Sequence, residues 1–446
     1  MRIAMFTNNY KPFIGGVPIS IERLSKGLRE LGHEVYIFAP SYDENMYGIN
    51  SDEEEIVIRY KSLRNKKLKG GMVIPNMFDL DIEKYFKALK IDVIHAHHPM
   101  LVGNTAQYLS KKYNVPLIFT YHTRYEQYLH NIKAYEILEN HQNKCLVNPL
   151  RKAEGKILEY TKEKFVPGYI KIFSNSCDLV FSPTNLIKDY LEETGVKSRI
   201  KVMPTGLDES YFKEDEEINN RVNLIREKYK GNKKYLFCTV SRLTKEKNLD
   251  FLINGLKVLK NQIGDNFRLM IIGKGPYKKK LEENINELGL QDNVVFLNSI
   301  ENKLIANYYR ASDLFLFSSK SETQGIVLLE AMAAKVPVVA LKASGVVEVV
   351  KNGQNGFMTE EDTLGWSSKI KETLEDEELF KVLKENAYNT ALSYMSSSIA
   401  KQVEETYSFL IYKRKTYSGY RYKETLRNYS NYMSLSTILK KVNLKA

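Results

Sequence analysis

The sequence predicts an α/β protein with two doubly wound halves, each a parallel sheet covered by helices on both faces. Short apolar runs alternate with amphipathic segments along the chain, as in successive βαβ units. A charged segment over residues 213–234 interrupts this alternation, which then begins again. The chain of 446 residues is long enough for two or three domains. We therefore predict two sheets rather than one, with a boundary between residues 205 and 232.

The first half begins with a strand and a long helix. Val17, Ile21, Leu24 and Leu28 recur at helical spacing and predict a helix over residues 15–31. Gly32 and the proline at position 40 bound the next strand. The predicted strands of this half are residues 2–6, 35–39, 92–97, 116–122, 178–182 and 200–203.

The second half repeats the pattern and is followed by a tail of different composition. Its predicted strands are residues 235–240, 268–272, 294–297, 313–317 and 336–340, and its predicted helices are 249–259, 276–288, 303–311 and 326–334. We expect an N-terminal domain over 1–205 and a C-terminal domain over 206–395. Residues 396–446 are expected to form a helix that returns toward the first domain, followed by a basic, tyrosine-rich tail.

Composition restricts the class of protein. Hydrophobic residues make up 43% of the chain, too many for a disordered protein, and no apolar run is long enough to span a membrane. Three widely spaced cysteines argue against a disulfide scaffold, and the N-terminus resembles a strand rather than a secretory signal, so we expect a cytoplasmic location. The net charge of +12 favours anionic partners such as nucleotides, nucleic acid or an anionic membrane.

The most informative motif is the stretch 318–330, which follows a strand and opens a helix. Gly325 permits close backbone approach, and the unpaired N–H groups of the first helical turn can bind an anion. Glu322 and Glu330 could accept hydrogen bonds from hydroxyls at the two ends of one ligand. The alternative is that Glu322 caps the helix and Glu330 lies on a solvated face.

Two further loops follow strands of the second half. Arg242 and Lys247 supply two cations at a strand end, which suits a diphosphate, although an ordinary charged loop is the alternative. Gly273 and Gly275 allow a tight turn near a ligand, or form a turn and nothing more.

The first half offers a glycine pair and a histidine. Gly15 and Gly16 lie between the first strand and the first helix, at the crevice position of a doubly wound sheet. A Gly-x-Gly-x-x-Gly fingerprint is absent, which argues against a nicotinamide-dependent oxidoreductase. His122 follows a strand and should face the same crevice, unless it is a structural histidine. His95, His97 and His98 lack a completing ligand motif, so we predict packing rather than a metal site.

Basic segments suggest a surface for anionic lipid. Residues 61–69 are a compact basic run, and residues 146–172 mix lysine and arginine with apolar side chains. Such a mixture can rest on an anionic membrane, or form the solvated face of a packed helix. The tail after residue 412 could instead bind nucleic acid. The two folded halves would then have no function, so we expect no nucleic-acid partner.

Together these motifs resemble the large family of retaining glycosyltransferases with the GT-B fold, of the family 4 type. The resemblance covers most of residues 1–408 and implies two Rossmann-like domains that face an interdomain cleft. Among its subgroups, the bacterial 1,2-diacylglycerol 3-alpha-glucosyltransferases are most similar in the stretches 321–325 and 122–128. The motifs that carry it, in the family's order, are Gly15-Gly16, the interdomain link 204–208, Arg242 with Lys247, 273–276, and Glu322 with Glu330 eight positions later.

The resemblance implies a role for each of these residues. Arg242 and Lys247 would hold the donor diphosphate, and Glu330 the ribose hydroxyls. Glu322 and His122 would lie beside the transferred sugar. Gly15 and Gly16 would let the first domain close onto the ligands. The backbone around the sugar would come from Thr323, Gln324, Gly325 and Ile326, with Gly273 and Gly275 also at the donor.

The resemblance also implies a reaction and a location. The enzyme would move glucose from UDP-glucose to diacylglycerol with retention, as a peripheral protein on the inner face of the cell membrane. The alternatives are another lipid acceptor, such as phosphatidylinositol or a glycolipid, or a polysaccharide. No tightly bound cofactor and no protein-held metal are expected, although a divalent cation can help activity in this family.

Overall fold

The structure is a computed structural model, and it describes residues 1–13, 15–51, 55–63, 73–125, 164–320 and 322–416. It contains two separate sheets, as the sequence predicts, with helices on both faces of each. Most of the two basic segments, residues 126–128, Cys145 and the tail from residue 417 lie outside the described residues.

The first sheet has eight strands in the order β3-β4-β2-β1-β5-β6-β7-β8. All neighbours pair in parallel except β3 and β4, which are antiparallel. Strands β3 and β4 were not predicted, because the acidic run 52–55 between them resembles a loop. The strands are β1 Arg2–Phe6, β2 Glu34–Pro40, β3 Gly48–Ser51, β4 Ile56–Tyr60, β5 Val93–Ala96, β6 Leu117–Thr120, β7 Leu179–Ser182 and β8 Ile200–Val202.

The second sheet has six parallel strands in the order β11-β10-β9-β12-β13-β14. Five of them were predicted, and the edge strand β14 was not. The strands are β9 Tyr235–Val240, β10 Phe267–Ile272, β11 Val294–Leu297, β12 Leu314–Phe317, β13 Val338–Leu341 and β14 Gly356–Thr359.

The helices cover the faces of these sheets. Those of the first half are α1 Gly16–Glu30, α2 Leu80–Leu89, α3 Val102–Tyr113, α4 Val166–Asn175 and α5 Asn185–Glu193. Those that follow are α6 Glu216–Lys230, α7 Leu249–Ile263, α8 Lys278–Glu287, α9 Asn302–Arg310, α10 Ile326–Ala333, α11 Ser344–Val347, α12 Thr363–Glu375, α13 Glu377–Leu392 and α14 Ser396–Thr416. None of the described helices is long and apolar enough to cross a bilayer.

The last helix, α14, returns to the first half and packs against α1. Val403 and Tyr407 of α14 join Ile21 and Leu28 of α1 in one buried cluster under the first sheet. The close approach depends on Gly27, where an added Cβ would lie 2.7 Å from the Cβ of Ala400. The chain therefore crosses between the halves twice.

The two crossings run side by side. The Leu207 N–H donates to the Tyr394 carbonyl at 2.7 Å, and the Ser396 N–H donates to the Leu207 carbonyl at 2.8 Å. Gly206 has no space for a side chain, since a Cβ there would lie 2.6 Å from Cα of Ser396. Backbone hydrogen bonds thus join the link near residue 206 to the link near residue 395.

Candidate functional site

Loops at the carboxyl ends of parallel strands bring the two halves into contact. The Thr323 hydroxyl, in the loop after β12, donates to the His122 carbonyl after β6 at 3.0 Å. The Thr184 hydroxyl donates to the Thr323 carbonyl at 3.3 Å. Ligands of open α/β sheets bind at this end of the strands, so this junction is the candidate site.

Lys247 and Glu322 meet at this junction. Lys247 ends a short 3-10 turn after β9, and Glu322 lies in the loop after the neighbouring strand β12. Lys247 Nζ is 2.5 Å from Glu322 Oε1 and 3.4 Å from Ser319 Oγ, and the pair is largely buried. The turn is fixed because the Ser318 hydroxyl donates to the Lys247 carbonyl. Two residues 75 positions apart thus share one polar cluster.

Arg242 lies in the same loop but turns toward solvent. Its guanidinium is 3.3 Å from Glu246 Oε1, and the side chain is exposed. Such an exposed pair contributes little energy and is easily exchanged for another anion. The structure does not bring Arg242 into direct contact with Glu322 or Glu330.

Gly273 and Gly275 let two loops run against each other. A Cβ on Gly273 would lie 1.9 Å from the Ser241 carbonyl oxygen, and one on Gly275 would lie 2.1 Å from that of Leu243. The Tyr277 N–H also donates to the Leu243 carbonyl. Their role in the fold is therefore to place the Arg242 loop, and their contact with a donor stays a prediction.

The start of α10 is shaped by backbone rather than by a capping side chain. Gly325 adopts a positive φ of 69°, where a side chain is strained, and no side chain caps this helix. The alternative role of Glu322 as a helix cap is therefore wrong. Ile326 begins the helix and packs, partly buried, on the core of the second half.

The Gln324 side chain ties this loop to the link between the halves. Its Oε1 accepts from the Thr205 N–H at 2.7 Å, and its Nε2 donates to the Thr205 carbonyl at 3.0 Å. The sequence pointed to Gln324 through its backbone only. The contact was missed because the partner lies 119 positions away.

Glu330 lies buried between the two halves. It is 5% exposed, so the alternative of a solvated face is wrong. Arg23, 4% exposed on α1, places its guanidinium 2.7 Å from Glu330 Oε1, and the Tyr309 hydroxyl donates to Oε2 at 3.0 Å. Both carboxylate oxygens already have protein partners, which the ribose prediction did not anticipate. Ribose binding by Glu330 stays a prediction.

Arg23 was not identified from the sequence. It also donates to the Gly206 carbonyl at 3.2 Å, and its guanidinium stacks over the Tyr211 ring. The charge of Glu330 and the Tyr211 ring raise the pKa of Arg23 against the lowering effect of burial. Its position beside Glu22 on an amphipathic helix looks like an ordinary solvated face, so no local signal marks it.

Gly15 and Gly16 lie at the start of α1. Gly15 is the residue before the helix, with an extended φ of −179°. A Cβ on Gly16 would meet nothing within 4 Å, so the fold does not require glycine there. The close approach of a ligand to Gly15 and Gly16 stays a prediction.

Four histidines cluster where β5 and β6 end. Nδ1 of His97 lies 2.9 Å from Nε2 of His122. His95 is held by the Thr120 and Tyr407 hydroxyls, each at 2.6 Å. His98 contacts the Thr7 hydroxyl and the Asn8 N–H, as expected of strand-end packing. In the part of the chain that the structure describes, no group of three His, Cys, Asp or Glu side chains could hold a metal.

Burial keeps these histidines neutral. It lowers the pKa of His95 to about 3 and that of His98 to about 4. It also lowers the pKa of His97 and His122 well below the usual range, helped by repulsion from neighbouring histidines. The cluster thus acts as uncharged hydrogen-bonding groups at neutral pH.

The unfolding free energy is expected to fall as the pH drops from 7 to 5. In the unfolded chain His95 and His98 take up protons near pH 6.5, whereas in the folded protein they stay neutral to about pH 4 or below. The unfolded state therefore binds more protons, and each residue lowers stability by about 2 kcal/mol at pH 5. Urea unfolding of wild type and His98→Gln at both pH values tests this. The variant should lose about 2 kcal/mol less, and an identical loss in both proteins would contradict the assignment.

Two family models match the chain and together cover most of it. The one described as Glycosyltransferase Family 4 matches residues 14–211. The one described as Glycosyl transferases group 1 matches residues 221–390. The first includes His122, and the second includes Arg242, Lys247, Glu322 and Glu330.

Similar proteins and structures agree with these matches. Alpha-monoglucosyldiacylglycerol synthase of Streptococcus pneumoniae is 30% identical, over 76% of this chain and 71% of that protein. The synthase of the same name from Acholeplasma laidlawii is 28% identical, over 93% and 98%. Sucrose-phosphate synthase from Thermosynechococcus elongatus matches with a TM-score of 0.73 and 19% identity, over 92% and 99%. Anabaena HepE in complex with UDP-glucose matches with a TM-score of 0.66 and 20% identity, over 92% and 99%. At these identities the two structures show the fold alone.

Proposed function

We propose that this chain, which belongs to the group 1 and family 4 glycosyltransferases of GT-B fold, transfers glucose from UDP-glucose to 1,2-diacylglycerol with retention. The two relatives named as alpha-monoglucosyldiacylglycerol synthases support the choice of glucose as the sugar and diacylglycerol as the acceptor. The observation that carries the proposal is the cluster of Lys247 and Glu322 at the junction of the halves, beside His122.

In this proposal the donor diphosphate lies against Lys247 and Arg242. The ammonium is a fixed point charge, and the exposed guanidinium can leave Glu246 at little cost to bind a phosphate with two N–H groups. Glu322, 2.5 Å from the lysine, would then be next to the sugar that the diphosphate carries. Oriented charges at this point favour the state in which the diphosphate departs.

The transfer breaks the bond between the anomeric carbon and the diphosphate oxygen. The acceptor hydroxyl oxygen forms the new bond on the same face, and its proton passes to the departing phosphate. UDP therefore leaves as the protonated product, and the atoms balance without a protein nucleophile or a tightly bound cofactor. Lys247 and Arg242 stabilise the negative charge that grows on the leaving group.

Labelled UDP-glucose incubated with diacylglycerol vesicles tests this function. We expect a labelled glycolipid with one hexose in α linkage, read by mass and by anomeric configuration. Glu322→Ala should abolish its formation. If the substrates are not UDP-glucose and diacylglycerol, a panel of other nucleotide sugars and vesicles of other lipids will identify them. Absence of product from every donor and lipid would end the proposal.

The first half offers a surface suited to a membrane. Leu63, Phe78 and Leu80 are 56%, 75% and 84% exposed. The Asn76 N–H donates to the Lys61 carbonyl at 3.0 Å, and the Lys61 N–H donates to Asp79 Oδ2 at 2.7 Å, so the segment of Leu63 runs beside the segment of Phe78 and Leu80. Exposed apolar side chains that lie together mark interaction sites, and the lysines of the basic run 61–69, which follow and precede Leu63 in the sequence, would add attraction to an anionic lipid surface. We propose that this surface holds the enzyme on the inner face of the cell membrane.

Changing Phe78 and Leu80 together to serine is expected to weaken vesicle binding at least tenfold. Partial burial of the two side chains in lipid is worth on the order of 2 kcal/mol, and 1.4 kcal/mol is tenfold. Co-sedimentation with anionic vesicles at low salt measures this. The matched control is Leu224→Ser, since Leu224 is 65% exposed on α6 of the other half. Equal binding by wild type and double variant would contradict this surface, and no vesicle binding at all would favour a soluble acceptor.

A further inference from the structure

We infer that His97 is a positioning residue of the donor site, which fixes the ring of His122 so that Nδ1 of His122 meets the transferred sugar. This rests on the proposed function, because it concerns the sugar of the donor. His97 immediately precedes His98 in the chain, and its ring contacts the rings of His95 and His122. Its effect on the sugar would therefore pass through His122.

The geometry leaves His122 one ring nitrogen for a ligand. Nε2 lies 2.9 Å from Nδ1 of His97, and the ring planes are inclined by 16°, as a hydrogen bond in the plane of both rings requires. The His122 carbonyl is held by the Thr323 hydroxyl at 3.0 Å. Both ends of His122 are thus fixed, and Nδ1 is the remaining polar atom of the ring.

His97 is itself immobile. It is buried, and its backbone N–H donates to the Phe6 carbonyl at 2.9 Å. Its ring packs on that of His95 with centroids 4.2 Å apart. His95 in turn is held by the hydroxyls of Thr120 and Tyr407. A side chain fixed in this way can impose an orientation on the half-buried His122.

The protonation states of the two rings determine which nitrogen of His122 can donate a hydrogen bond to a ligand. Each neutral imidazole carries one N–H, so either His97 donates to His122 or the reverse. In the described residues, Nε2 of His97 is buried and has no partner. A buried N–H without an acceptor is rarer than an unpaired acceptor, so the proton of His97 belongs on Nδ1, which donates to His122. Nδ1 of His122 then carries a proton and donates to a sugar oxygen.

The test compares the binding of UDP-glucose with that of UDP, because only the former has the sugar. In wild type the ratio of the two affinities, measured by calorimetry, includes the His122 contact. His97→Leu is expected to lower this ratio about fivefold while UDP affinity stays unchanged. His97→Asn, whose amide can reach the Nδ1 position and donate, should retain it. In a His122→Leu background, His97→Leu should not lower the affinity ratio further, because the residue through which His97 acts is already absent.

Turnover adds a second readout. His97→Leu should reduce kcat/KM by on the order of 100-fold, as expected when a reacting group is misplaced. His98→Asn is the matched control, since His98 is also buried at this strand end but contacts the loop after β1.

The outcomes separate the two proposals. If wild type binds UDP-glucose and His97→Leu leaves the ratio unchanged, or lowers UDP affinity equally, His97 is only structural and the inference is overturned. Additive losses in the double variant would overturn it as well. If wild type binds no nucleotide sugar, the proposed function itself fails, and the inference fails with it.

Discussion

Replacing Lys247 with methionine is expected to lower kcat/KM for UDP-glucose by about 100- to 1000-fold. The ammonium is a fixed charge where the departing diphosphate would gain negative charge, and water cannot replace it in a largely buried position. The variant also leaves Glu322 without its 2.5 Å partner, which adds an unfavourable negative charge near the phosphates. Steady-state kinetics with diacylglycerol vesicles measure the effect.

The matched control for this prediction is Lys245→Met. Lys245 lies in the same 3-10 turn, but its side chain is exposed and has no described role in the cluster. It should keep kcat/KM within about threefold of wild type, because an exposed charge is screened. If Lys247→Met and Lys245→Met change kcat/KM by the same factor, the proposed cationic role of Lys247 is wrong.

Replacing Arg23 with methionine is expected to lower the unfolding free energy by about 3–5 kcal/mol. The change leaves the Glu330 carboxylate buried without its cationic partner and removes the bond to the Gly206 carbonyl. An uncompensated buried charge is costly, whereas removing both charges is much less so. The double variant Arg23→Met, Glu330→Gln should therefore be more stable than Arg23→Met alone.

Urea unfolding of the single and double variants decides this prediction. Lys26→Met is the control, since Lys26 is one turn further along α1 and forms a more exposed pair with Asp208 at 2.9 Å. It should cost less than about 1 kcal/mol. A loss of similar size for both single variants, or a double variant no better than Arg23→Met, would show that the buried pair does not carry this energy.

Most of the fold could be predicted from the sequence because its signals are local. Apolar runs and helical spacing predict both parallel sheets. The pair β3 and β4 was missed because the acidic run 52–55 between these two strands resembles a loop. Lys247 and Glu322 could be placed together because both follow strands, and strand ends converge at one edge of a sheet.

Partners across the junction could not be predicted. Arg23 and Glu330 are 307 positions apart, and Gln324 and Thr205 are 119 apart. Such contacts depend on how the two halves dock, which no spacing in the sequence encodes. His97 could be predicted as buried in a strand, but its bond to His122 depends on the register between β5 and β6.

The paired links near residues 206 and 395 restrict how the halves can move. Because backbone hydrogen bonds join the two links, sliding of one half past the other would break both, whereas a swivel about them can keep them intact. After a single proteolytic nick near residue 206 the halves would stay attached through the link near residue 395 and α14, and after a nick near residue 395 they would stay attached through the link near residue 206. Donor and acceptor would thus be brought together by rotation about a fixed pivot.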